Sequence, residues 1–214
     1  MKKLLTFSMT AILALMMTAC TEDNNSAPDT TEKKPAEQNN TTDSGTSKQA
    51  DPDWITPVGE TISTEGGDFT FHSRNDQVEG QESGPLTIEF DQVAAISGVL
   101  AGDFAEYVGV DAIEYIQVDI QVENTSADPI DFPAYQATVI TSTGEEITAP
   151  DPKLGVPPEG NFEGEETKQA SVFYVLESSK AEEVEWVRII MEAPRDGNGE
   201  KIGEDLDIRV ELKG

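Results

Sequence analysis

The chain has 214 residues, with 14 Lys and Arg against 42 Asp and Glu, a formal net charge of −28. Nucleic-acid affinity rests on neutralising phosphates with basic side chains, and an anionic bilayer repels acidic segments. So no nucleic acid is expected as a partner, and the folded part is not expected to lie flat on a membrane. One cysteine and one histidine leave nothing for a disulfide or for a zinc site of nitrogen and sulfur ligands.

At the N-terminus Lys2 and Lys3 precede an uncharged run from Leu4 to Ala19. It is shorter than the roughly 20 residues of a spanning helix and fits the apolar core of a secretory signal. The run ends Met17-Thr18-Ala19-Cys20. That ending resembles the lipobox of bacterial lipoprotein signal peptides, where leucine is commonest at the position of Met17. The resemblance implies cleavage between Ala19 and Cys20, diacylglycerol on the Cys20 thiol and an acyl group on its amine. Two chains anchor stably where one binds marginally, each buried CH₂ adding about 0.8 kcal/mol. Loss of residues 1–19 removes two lysines and no acid, leaving 12 basic and 42 acidic residues and a net charge of −30.

Residues 21–50 are Thr, Asn, Ser, Glu, Asp, Lys, Pro and Gln with almost nothing apolar. Such a composition does not bury enough surface to offset ordering entropy and predicts a disordered tether with an r.m.s. span of about 30 Å. Residues 51–214 are expected to form one domain. Its clearest strands alternate with period two: Ile116, Val118, Ile120 and Val122 against Gln117, Asp119, Gln121 and Glu123, and Leu206, Ile208, Val210 and Leu212 against Asp207, Arg209 and Glu211. Further strands are expected at Asp68–Ser73, Leu86–Ile96, Tyr135–Ser142, Glu146–Ala149, Gln169–Leu176 and Val184–Met191. Thr143-Gly144-Glu145 is expected to turn a hairpin. Val172 to Leu176 is apolar on both parities and predicts a more central strand, buried on both sides for part of its length. Trp186 is read as core on the Val184–Ile190 face, and Trp54 as packing back on the domain. Helix is limited to a turn or two at Leu100–Val108 and at Ser178–Glu183. The pattern predicts an all-β antiparallel sandwich.

From about Pro85 to Leu212 the chain resembles a bacterial lipoprotein family with an immunoglobulin-like domain of unknown function, whose members often carry the erroneous label telomeric repeat-binding factor. The likeness rests on Val122-Glu123-Asn124-Thr125-Ser126, Asp128-Pro129-Ile130, Thr143-Gly144-Glu145, Gly164-Glu165-Glu166, the Val172–Leu176 strand, Ser178–Glu183 and Val184-Glu185-Trp186-Val187-Arg188. It implies an immunoglobulin-like β-sandwich. None of these motifs is catalytic, and a sandwich hosts many functions.

Candidate chemistry is sparse. Asp196, Asn198 and Glu200 place oxygens at alternate positions like the start of a calcium loop, but Lys201 stands where its glycine belongs, and no helices flank it. Glu163, Glu165 and Glu166, near Asp151 and Glu159, form a second acidic cluster, and both are read as solvated loops. His72 has no nucleophilic serine motif beside it, so no enzyme activity and no cofactor are expected. The sequence predicts a lipid-anchored binding or structural module on the outer face of the cell membrane. Its partners are the membrane, through Cys20, and an envelope protein that the sequence does not name. An extracytoplasmic cation or ligand sensor is the alternative, and a carboxylate-based hydrolase comes after it.

Overall fold

A computed structural model describes residues 56–214. The chain forms strands β1 (Thr61–Thr64), β2 (Gly67–Asn75), β3 (Gln81–Ser83) and β4 (Leu86–Leu100), then helix α1 (Gly102–Val108) and β5 (Ala112–Asn124). There follow β6 (Ile130–Asp131), β7 (Thr138–Thr141), β8 (Glu146–Ile147), β9 (Asn161–Phe162) and β10 (Glu166–Val175). The last are β11 (Trp186–Met191), β12 (Arg195–Asp196) and β13 (Leu206–Glu211).

The first sheet runs β1-β2-β4-β5-β10, with β3 also on β4, and the second runs β13-β11-β7-β8. A small third sheet runs β12-β6-β9. Every strand pair is antiparallel. The fold is the expected all-β sandwich. The alternating residues decide which faces meet: Ile116, Val118, Ile120 and Val122 of β5 share one buried cluster with Val187, Ile189 and Met191 of β11 and Ile208 and Val210 of β13. Burying such side chains contributes about 1.5–3 kcal/mol each.

Beyond a bulge, β4 is buried on both faces. Its register against β5 shifts between Phe90 and Gln92, an extra residue that re-aims the strand. Before it, Leu86, Ile88 and Phe90 face the second sheet; beyond it, Val93 and Ala95 keep that face while Ala94 and Ile96 join a separate cluster on the outside. That outer cluster also holds Phe71, Leu100, Val108, Ile113 and Tyr115, with Phe69, Phe104, Leu154, Phe173 and Val175 packed against it. So α1, in the link between β4 and β5, folds back over the outer face of the first sheet.

Two expectations need correction. Val172 and Tyr174 of β10 are buried and Phe173 and Val175 on its other face are half-buried, yet the strand stands at the edge of its sheet. Its second face is covered by the outer cluster rather than by a further sheet, and the Asp151 amide donates to the Phe173 carbonyl at its free edge (2.8 Å). Trp186 is not core. The buried set of β11 is Val187, Ile189 and Met191, which turns Trp186, Arg188 and Ile190 outward. Arg209 of the neighbouring strand lies over the indole, 4.0 Å from its centroid.

Candidate functional site

Cys20, Ala19 and Trp54 lie outside the described residues. The remaining positions singled out by sequence can be placed.

Asp196 ends β12, and Asn198 and Glu200 sit in the link that follows it. One Asp196 oxygen accepts the amides of Asn198 and Glu200, each at 2.9 Å, and the other accepts the Asn198 side-chain amide at 3.2 Å. The Glu200 amide first, then the Asn198 side chain, hold the Asp196 carboxyl below the usual aspartate range. The acid here organises its own turn. Of the second cluster, Glu166 accepts the Glu163 backbone amide (2.8 Å) and pairs with the Lys168 ammonium (3.6 Å), while the Glu163 carboxylate accepts from the Asn161 side-chain amide (3.5 Å). That ammonium also donates to the carbonyls of Glu159 and Asn161 and sits 4.9 Å from the centroid of the Phe162 ring. Asp151 is engaged separately, by the Lys153 amide (2.8 Å). Among the described residues no three His, Cys, Asp or Glu side chains converge as metal ligands.

His72 stands at a bulge of β2, where the register shifts between Phe71 and Ser73. Its Nε2 is 2.8 Å from the Ser97 hydroxyl across the β2–β4 pair. Sequence reading missed this contact, because the two residues meet only through strand pairing.

The quoted family-like motifs turn out to be fastenings between loops. Glu145, in the β7–β8 hairpin, accepts the amides of Glu177 (2.6 Å), Ser178 (3.1 Å) and Ser179 (2.9 Å). Three successive amides aimed at one carboxylate form an anion-binding nest, here filled by the chain itself. Partial burial pushes the Glu145 carboxyl up, but the Ser179 hydroxyl and the three amides outweigh it and hold it below the glutamate range. Thr143 meets the Ser179 hydroxyl at 2.6 Å. Asn124 does similar work at the end of β5: its oxygen accepts the Ser126 amide (2.9 Å) and its side-chain amide donates to the Asp128 carbonyl (3.0 Å). The neighbouring Thr125 donates from both backbone and hydroxyl to the Pro85 carbonyl.

No family model matches the chain. A curated protein of Bacillus subtilis (strain 168), the SPbeta prophage-derived uncharacterized lipoprotein YonS, is 24% identical over 178 residues, 82% of this chain and 82% of its own length. The likeness is to a lipoprotein of unknown activity. It spans a larger share of the chain than residues 56–214 make up, so it reaches upstream of Thr56. A solved structure of a functionally unknown protein from Listeria monocytogenes EGD-e superposes with a TM-score of 0.52 at 14% identity, over 71% of this chain and 91% of that one. At that identity the superposition speaks for the fold alone.

Proposed function

We propose that this chain is a lipoprotein held on the outer face of the cell membrane through acyl chains on Cys20, where its folded part serves as a binding or structural module. The observation that carries the reading is the ending Met17-Thr18-Ala19-Cys20 after an uncharged run. The similarity to a lipoprotein over a stretch reaching upstream of Thr56 supports it. Charge fits the same picture, since a net −30 after cleavage disfavours adsorption to anionic headgroups and leaves the acyl chains as the attachment.

The proposed role is non-catalytic. Its support is the use to which the polar groups are put: Glu145, Asp196 and Glu166 are each spent on amides or on a lysine of the chain itself. We read the sandwich as immunoglobulin-like. If β4, β5, β7, β8, β10, β11 and β13 are counted as one to seven, the two main sheets run 1-2-5 and 7-6-3-4. That is the order of strands A-B-E and G-F-C-C′ in an immunoglobulin sandwich. β1 and β2 would then be an extension beside the first strand.

The test is to express the full chain and its Cys20→Ser variant and separate membrane from soluble fractions. The wild type is expected in the membrane and detergent phase and the variant outside it. A variant that stays in the membrane fraction as the wild type does would refute lipid anchoring.

A further inference from the structure

On the outer face of the first sheet, under α1, lies an open cleft of about 170 Å³. Its floor is a row of rings from three strands. Phe69 of β2 meets Tyr115 of β5 edge-to-face at 6.5 Å between centroids, and Tyr115 meets Phe173 of β10 likewise at 5.8 Å. Phe104 of α1 and Leu154 of the loop before β9 close it from above. No charged side chain lines it.

The rings are seated against glycines. A Cβ on Gly98 would stand 2.8 Å from the Phe69 ring, one on Gly155 3.0 Å from Phe173, and one on Gly66 3.2 Å from Phe104. None of these three glycines has a positive φ, so the backbone conformation does not require glycine there. What the missing side chains supply is room for aromatic rings. The cover is lightly held. Within α1 only Val108 is buried, the helix has no side-chain N-cap, and it begins at Gly102 (φ +56°) and ends against Gly109 (φ +90°), where a Cβ would touch nothing. Lys153 donates to the Val108 carbonyl at 2.8 Å, which ties α1 to the loop that carries Leu154.

We propose that this cleft is a binding site for an uncharged apolar group about the size of one aromatic ring. Size sets the scale of the occupant: an enclosed apolar cavity of about 150 Å³ accepts benzene, and this half-open cleft offers a similar volume. Charge selects it too. The wall offers no counter-ion, and an unpaired charge is costly to bury, while the molecule's net −28 repels anions in particular. Burial, and then the nearby Asp119 carboxylate, raise the Tyr115 phenol well above the usual tyrosine range, so its ring adds no charge to the wall. The site goes beyond the anchoring proposed above and does not depend on it.

The test is a titration of the full chain with toluene and, separately, with benzoate, followed by two-dimensional NMR of the aromatic side chains. Toluene should shift Phe69, Phe104, Tyr115 and Phe173 saturably, with one molecule bound. Benzoate should bind at least about tenfold more weakly because its carboxylate finds no partner. The Leu154→Trp variant fills the cleft and should abolish the toluene shifts, with Phe104→Trp a second filling variant if the first does not fold. The proposal is overturned if wild-type shifts fail to saturate up to the solubility of toluene, if benzoate binds equally well, or if a folded filling variant binds as the wild type does.

Discussion

Replacing Glu145 with alanine removes the acceptor for three backbone amides at once. Hydrogen bonds to a charged group contribute about 1.5–3 kcal/mol each when enclosed. Here the bonds to Glu177 and Ser178 are exposed and only that to Ser179 is half-buried, so water replaces most of what is lost. A net cost of about 2 kcal/mol follows, which for a domain of this size lowers the melting temperature by about 4–8 °C. The assay is thermal unfolding by circular dichroism of wild type, Glu145→Ala and, as a control, Glu146→Ala, whose exposed side chain is its neighbour in the same hairpin. The effect should also carry a pH signature. The folded state holds the Glu145 carboxyl below its ordinary value of 4.5, so its contribution is complete above that value and is lost as pH falls through the lowered one. Wild type and variant should therefore differ at neutral pH and converge in acid. A Glu145→Ala protein that melts within about 1 °C of both others at neutral pH would refute the idea that this carboxylate fastens the hairpin to the 177–179 loop.

Four further outcomes are expected. Ile189→Ala, in the buried cluster between the sheets, should cost about 2–5 kcal/mol by urea unfolding, whereas Arg209→Ala should cost no more than about 1 kcal/mol yet change Trp186 fluorescence. A large loss in Arg209→Ala would contradict the outward placement of the indole. Calcium should raise the melting temperature no more than salt of matched ionic strength, because the Asp196 oxygens are occupied by the turn; a calcium-specific rise that disappears in Asp196→Asn would overturn this. Asp207 is held below the usual aspartate range by Arg188, so Asp207→Asn should matter near neutral pH and cease to matter as pH falls through the lowered value, but by no more than about 1 kcal/mol because the pair is exposed.

β5 and β13 were legible because each has one buried face and period two records which. The β7–β8 hairpin read from its turn residues. Strands of two to four residues, β1, β3, β6, β9 and β12, carry too few side chains to show a period. Trp186 was assigned to the wrong face because Val184 is buried while Glu185 and Trp186 are not, so the parity changes just before β11. The signal that could have corrected it is Arg188, in register with Trp186, opposite the uniformly apolar Val187, Ile189 and Met191. The cleft was out of reach in sequence, since its rings come from three strands and a helix and Leu154 from a distant loop. Only the double-sided apolar character of Val172–Leu176 hinted that something covers the outer face.

The lipid anchor is tested most directly at the mature N-terminus. Protein purified from its membrane fraction and digested should yield a first peptide that begins at Cys20 and carries the mass of a diacylglyceryl group and an N-acyl chain. A first peptide that begins upstream of Cys20, or one with an unmodified Cys20 thiol, would contradict the account.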